Sequence, residues 1–216
     1  MSRVFIIGGH GKVARLLTPL LVAGGHRVTA AIRNPAHADE VAGDGATPLL
    51  FDIEQAGTEA IAARLADHDA VVWAAGAGGG DAARTHAVDR DAAIRSIDAA
   101  RRTGVRRYVM LSYITSGRDQ GLAPDDPFHP YATAKAAADT HLRGSGLDWT
   151  IIGPGRLTMD APSGRIALDP GAAHGATARG NVAMVIATAL ATPATVGRTL
   201  DFVDGDTPIA QALDGR

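Results

Sequence analysis

Cysteine is absent from the 216 residues. This excludes a disulfide framework, thiolate nucleophiles and cysteine-rich zinc sites. Aromatic residues make up 4% of the chain, too few for a platform on which nucleic-acid bases could stack. An excess of positive charge is also missing: 21 basic residues face 23 acidic ones without a basic block, and no nucleic-acid partner is expected. The longest apolar run, 182–191, is about half of a bilayer span, so no membrane partner is expected either. A strand-like run begins by Val4. It leaves no room for a secretory signal, and a cytoplasmic location is the expectation. The eight histidines, His174 among them, show no HxH or HxxxH spacing, and no metal site is expected. Serine-hydrolase and Walker patterns are absent too.

Lysine is nearly missing. Every basic residue is arginine except Lys12 and Lys135. With Ala, Gly, Arg and Asp in excess, this looks like the codon bias of a GC-rich genome, in which a retained lysine marks a position to inspect.

What remains is a chain 46% hydrophobic, enough to bury the core of one domain spanning 1–216. Short Val- and Ile-rich runs at 4–7, 27–32, 47–51, 70–75, 107–111, 149–152 and 199–203 read as strands. Helical spacing marks 13–23, 56–66, 81–103, 131–143 and 181–190. Alternation of this kind predicts an α/β fold, a doubly wound parallel sheet of Rossmann type, with strands apolar on both faces. Two segments without regular pattern, about 113–130 and 154–178, follow strand carboxyl ends and are candidate substrate walls.

The first strand runs into Gly8, Gly9, His10, Gly11, Lys12 and Val13, then a helix. Gly8, Gly11 and Ala14 form a GxxGxxA variant of the dinucleotide fingerprint. The first glycine allows the tight turn, the second lets the backbone approach a pyrophosphate, and the small third residue lets helix and strand pack closely. The helix N-terminus offers free N–H groups to phosphate, and His10 and Lys12 can add charge. A site for NAD(H) would carry an acid near the end of the second strand. Arg33 stands there instead, and a guanidinium suits a 2′-phosphate. NADP(H) is therefore expected in preference to NAD(H).

The second lysine completes Tyr131-x-x-x-Lys135, which places both side chains on one helix face. A neighbouring ammonium is expected to lower the phenol pKa. The tyrosine could then exchange a proton with a carbonyl or alcohol oxygen while hydride moves.

Together with the stretch YATAKAAADTHLRGSGLDWTIIGPGRLT at 131–158, these features resemble the atypical short-chain dehydrogenase/reductases, of the NAD(P)-binding epimerase/dehydratase-like or NmrA-like branch. The resemblance implies Tyr131, Lys135 and Ser112 as catalytic residues. It further implies Asp52 and Ile53 near the adenine, and Ala74, Ala75 and Gly76 along the ribose. Lys135 would lie at the nicotinamide ribose, Leu111 would be a further cofactor-binding residue, and Pro154 and Gly155 would lie beside the nicotinamide. The chain departs from the family pattern at two points. Either Ser112 or Tyr113 falls at the active-site serine position, and Asp89 stands where an asparagine is usual. Two functions follow as expectations. One is hydride transfer between nicotinamide and a small carbonyl, alcohol or quinone-like substrate. The other is a non-catalytic NADP(H)-sensing regulatory protein, without a substrate. Either could be a monomer or a homodimer.

Overall fold

A computed structural model describes residues 1–78, 81–116, 121–169, 171 and 175–214. His174 and parts of both expected substrate walls lie outside the described residues.

Among the described residues, a nine-stranded sheet forms the centre of the molecule. Its parallel strands are β1 (Arg3–Ile7), β2 (Arg27–Ile32), β3 (Thr47–Leu50), β4 (Ala70–Trp73), β5 (Arg107–Leu111), β6 (Asp148–Pro154) and β10 (Arg198–Asp204), in the order β3-β2-β1-β4-β5-β6-β10. Three strands lie within 154–178: β7 (Arg156–Thr158), β8 (Arg165–Leu168) and β9 (Ala176–Ala178). Of these, β8 continues the sheet antiparallel to β10, and the short β11 (Thr207–Pro208) pairs with β8. A separate small parallel sheet joins β7 to β9. The segment 154–178 is therefore not wholly irregular. Its strands are too short to show a period, and only their tertiary partners complete their hydrogen bonds.

The helices are α1 (Lys12–Ala23), α2 (Ala38–Gly43), α3 (Thr58–Leu65), α4 (Ala82–Thr85), α5 (Ala93–Thr103), α6 (His129–Arg143), α7 (Arg179–Ala191) and α8 (Ile209–Leu213). Between α4 and α5 the chain stays helical as a π-turn segment, His86–Ala92. The expected helix 81–103 is thus interrupted by a wider turn, a feature common at functional sites.

Strand alternation builds two cores. Val4, Ile6 and Val72 face α1 and α7, while Phe5, Ile7, Val71 and Trp73 face α3, α5 and α6. Both sheet faces are covered, which is why these strands read as continuous apolar runs. Trp73 is fully buried, and Trp149 packs at the edge of the second core. The chain runs from β1 outward to β3, then returns to β4 and continues the other way. The carboxyl ends of β1 and β4 therefore flank a topological switch point, the place where open α/β sheets bind ligands.

Candidate functional site

The turn after β1 is built by its glycines. Gly8 has φ +86, and a Cβ there would lie 2.6 Å from the Ala75 backbone. Only glycine fits so close an approach in the left-handed region. Gly11 extends at the start of α1, whose first turn holds no acidic residue and no side-chain cap. Its free N–H groups and positive dipole end are thus available to an anion. Gly9 does a different job: a Cβ there would meet Ala30 at 2.5 Å. It is buried and serves strand packing rather than the cavity wall.

Two lobes of one cleft open over this turn and share Gly11, Ala74, Ala75 and Gly76. The first, about 310 Å³, brings together Gly8, His10, Arg33, Asp52 and Ile53, all expected from sequence, with Glu54, His37 and Arg84. Here Arg33 reaches Glu54 at 3.4 Å, and Arg84 reaches the same carboxylate at 3.2 Å. The His10 and His37 rings stack at 3.5 Å between centroids. Asp52 accepts the Glu54 amide, which fixes the bend leading out of β3.

The second lobe, about 1010 Å³, holds Lys12, Val13, Asp89, Leu111, Ser112, Tyr131 and Lys135. Phe128, Pro127, Pro130 and Leu157 supply apolar surface, and Arg179 enters from α7. Of the two candidates after β5, Ser112 faces the cavity. The Tyr113 ring packs instead against Phe128 and Tyr131, with centroids 5.3 and 5.5 Å away. Pro154 and Gly155 do not line either lobe. Both are buried where β6 meets β10, and the Gly155 amide donates to Phe202 O and Thr177 Oγ1.

Helical spacing of four puts Tyr131, Lys135 and Asp139 along one side of α6. Lys135 is 1% exposed, and its Nζ donates to Leu111 O at 2.6 Å. Asp139 is fully buried and accepts the hydroxyls of Ser112 and Ser116, each at 2.7 Å. A turn through Thr115, at φ +64, brings Ser116 back to this carboxylate. Sequence reading missed Asp139, although its spacing from Lys135 was a signal. It had none for Arg84 and Arg179, which come from distant segments.

The electrostatics correct one expectation. The Tyr131 phenol is pushed well above its usual range, chiefly by burial and then by Asp89, Tyr113 and Asp139. No lowering by the lysine offsets this, and its ammonium donates to the Leu111 carbonyl. Burial also lowers the Lys135 ammonium, against the pull of Asp139 and Asp89. Asp89, on the π-turn, is raised by burial although Lys135, the Ala77 amide and Arg84 oppose this.

No helix among the described residues is long and apolar enough to cross a membrane. No cluster of His, Cys, Asp or Glu suited to a metal ion occurs among them.

The model of the NAD(P)H-binding family matches residues 8–193. The uncharacterized sugar epimerase YhfK of Bacillus subtilis is 32% identical over 98% of both chains. A solved structure from Bacillus halodurans, named as a candidate NAD-dependent epimerase/dehydratase, is 33% identical over the whole of both chains, with a TM-score of 0.91. The oxidoreductase ylbE of Lactococcus lactis is 28% identical, covers 98% of this chain and 95% of its own, and superposes with a TM-score of 0.88. The glycine turn at the switch point, the uncapped N-terminus of α1 and these likenesses agree: the chain belongs to the NAD(P)H-binding family, among proteins of the atypical short-chain dehydrogenase/reductase type.

Proposed function

We propose that the protein is an NADP(H)-dependent reductase of a small carbonyl or quinone-like substrate, with Tyr131 as the proton donor. The observation that carries this reading is the convergence of Tyr131, Ser112 and Lys135 on the lobe that continues the glycine turn. The residues present fit the cofactor. The N–H groups at the start of α1 would hold the pyrophosphate, with Lys12 beside them. Asp52 and Ile53 line the adenosine lobe, and Arg33 at its rim would take the 2′-phosphate. Lys135 and Leu111 would hold the nicotinamide ribose. Bound NADPH supplies the hydride.

Like any phenol, Tyr131 is protonated at neutral pH and can donate to the oxygen of a carbonyl being reduced, and burial makes it a weaker acid than a phenol tuned toward neutrality. Ser112 gives its own proton to Asp139. It therefore presents lone pairs to the cavity, and can accept a hydrogen bond from a hydroxyl but not polarise a carbonyl. Orientation of the substrate then falls to Tyr131 and the cavity walls.

The test is NADPH oxidation over a panel of small aldehydes, ketones and quinones, with Tyr131→Phe beside the native chain. Loss of general acid catalysis is worth about 10²–10⁴ in kcat, with NADPH affinity retained. A Tyr131→Phe protein as active as the native chain refutes the assignment. A second reading, a non-catalytic NADP(H) sensor, is favoured by one observation: the Ser112 proton and the Lys135 ammonium are both committed within the protein. Tight NADPH binding without turnover of any panel member would select it.

A further inference from the structure

The larger lobe is lined by five charged side chains. Three are already satisfied within the protein. Asp89 accepts the Ala77 amide, Asp81 accepts the Arg84 amide, and Lys135 donates to Leu111 O. Lys12 stands at the glycine turn, where the proposed cofactor would place its phosphates. Arg179 is left. It begins α7, a helix that packs beside α1 on the same face of the sheet, and both helix N-termini open toward the cleft. It is half-buried, and among the described residues its side chain has no hydrogen bond or ion pair. A guanidinium carries five donors in a planar fork that matches a carboxylate, sulfonate or phosphate. Around it the lobe offers Phe128, Pro127, Pro130 and Leu157, with Phe128 40% exposed.

We infer that Arg179 is the anion anchor of the substrate lobe, and that the substrate combines an apolar body with an anionic group. The inference rests on the reductase reading and names its substrate class. The apolar walls take the body. The carboxylate, sulfonate or phosphate displaces water from Arg179 and forms charge-assisted hydrogen bonds with it.

Two fluorescent probes of nearly the same apolar body test this. 8-Anilinonaphthalene-1-sulfonate carries an anion, and N-phenyl-1-naphthylamine does not. Both are titrated into protein saturated with NADP⁺, so that the cofactor's phosphates occupy the glycine turn. The native chain should bind the sulfonate more tightly than the amine. Arg179→Gln should weaken the sulfonate about tenfold or more, the equivalent of one hydrogen bond to a charged group, and leave the amine unchanged. Arg179→Lys should recover most of the sulfonate affinity and so separate lost charge from misfolding. NADPH affinity, read from its own fluorescence, should be the same in all three proteins. The inference is overturned if the native chain shows no sulfonate preference, if Arg179→Gln weakens both probes alike or neither, or if the loss falls on NADPH. Failure of the reductase reading shows separately, as absence of NADPH oxidation, and does not alter the probe comparison.

Discussion

Replacing Asp139 by alanine is expected to destabilise the protein by about 3–5 kcal/mol. The side chain accepts two hydroxyl protons at 2.7 Å, from Ser112 and Ser116, and a hydrogen bond to a charged group contributes about 1.5–3 kcal/mol. Both serines are 5% exposed and Lys135 is 1% exposed, so water replaces little of what is lost. The ammonium also loses one of the two carboxylates whose fields oppose its desolvation, which adds to the cost. These losses overlap and are not simply summed. At about 2–4 °C per kcal/mol for a chain of this size, Tm falls by roughly 6–20 °C. Asp139→Asn keeps an acceptor oxygen and should cost about 1–2 kcal/mol, the difference between a charged and a neutral acceptor. Adding Lys135→Met to Asp139→Ala should recover part of the loss, because the buried ammonium that has lost one of its two opposing carboxylates is then gone. Urea unfolding at pH 7, followed by circular dichroism, measures all four proteins. A loss below about 0.5 kcal/mol in Asp139→Ala, within the range of ordinary surface substitutions, refutes the reasoning. So does a double variant no more stable than the single one.

Arg33→Gln should weaken NADPH about tenfold, one charge-assisted hydrogen bond, and leave NADH unchanged. Glu54→Gln, which frees Arg33 from its carboxylate partner, should act in the opposite direction. Fluorescence titration with both nucleotides decides, and equal losses for NADPH and NADH would remove Arg33 from the 2′-phosphate. The Asp89 carboxyl, raised by burial above its ordinary 3.8, keeps its proton in the folded state over a window where the unfolded chain has lost it. The contribution of this group to stability is therefore fully present below 3.8 and is lost as pH rises through the higher folded value. Asp89→Asn, which retains an acceptor for the Ala77 amide, should raise Tm at pH 7, and the gain should shrink as the pH is lowered toward 4. A gain independent of pH would point to packing instead of ionisation.

The sequence by itself determined the alternation of strands and helices, because burial of the sheet on both faces forces continuous apolar runs. The spans of β2 and β5 were read without error for that reason. It also determined the position of the glycine turn, since Gly8 answers a local backbone demand, and the shared helix side of Tyr131 and Lys135, since four residues make about one turn. Four matters were left to the tertiary structure. Gly9 was indistinguishable in sequence from a phosphate-facing glycine until Ala30 of the neighbouring strand was found against it. The direction of the Tyr131 shift depended on burial and on Asp89, which lies 42 positions away in the chain. The partner of Ser112, just beyond β5, was a carboxylate of α6, and Arg179 reached the cleft only because α7 packs beside α1. Backbone periodicity and turn chemistry are local and are written in neighbouring residues. Desolvation, ion pairing and the lining of a cleft depend on segments that meet only when the sheet is assembled.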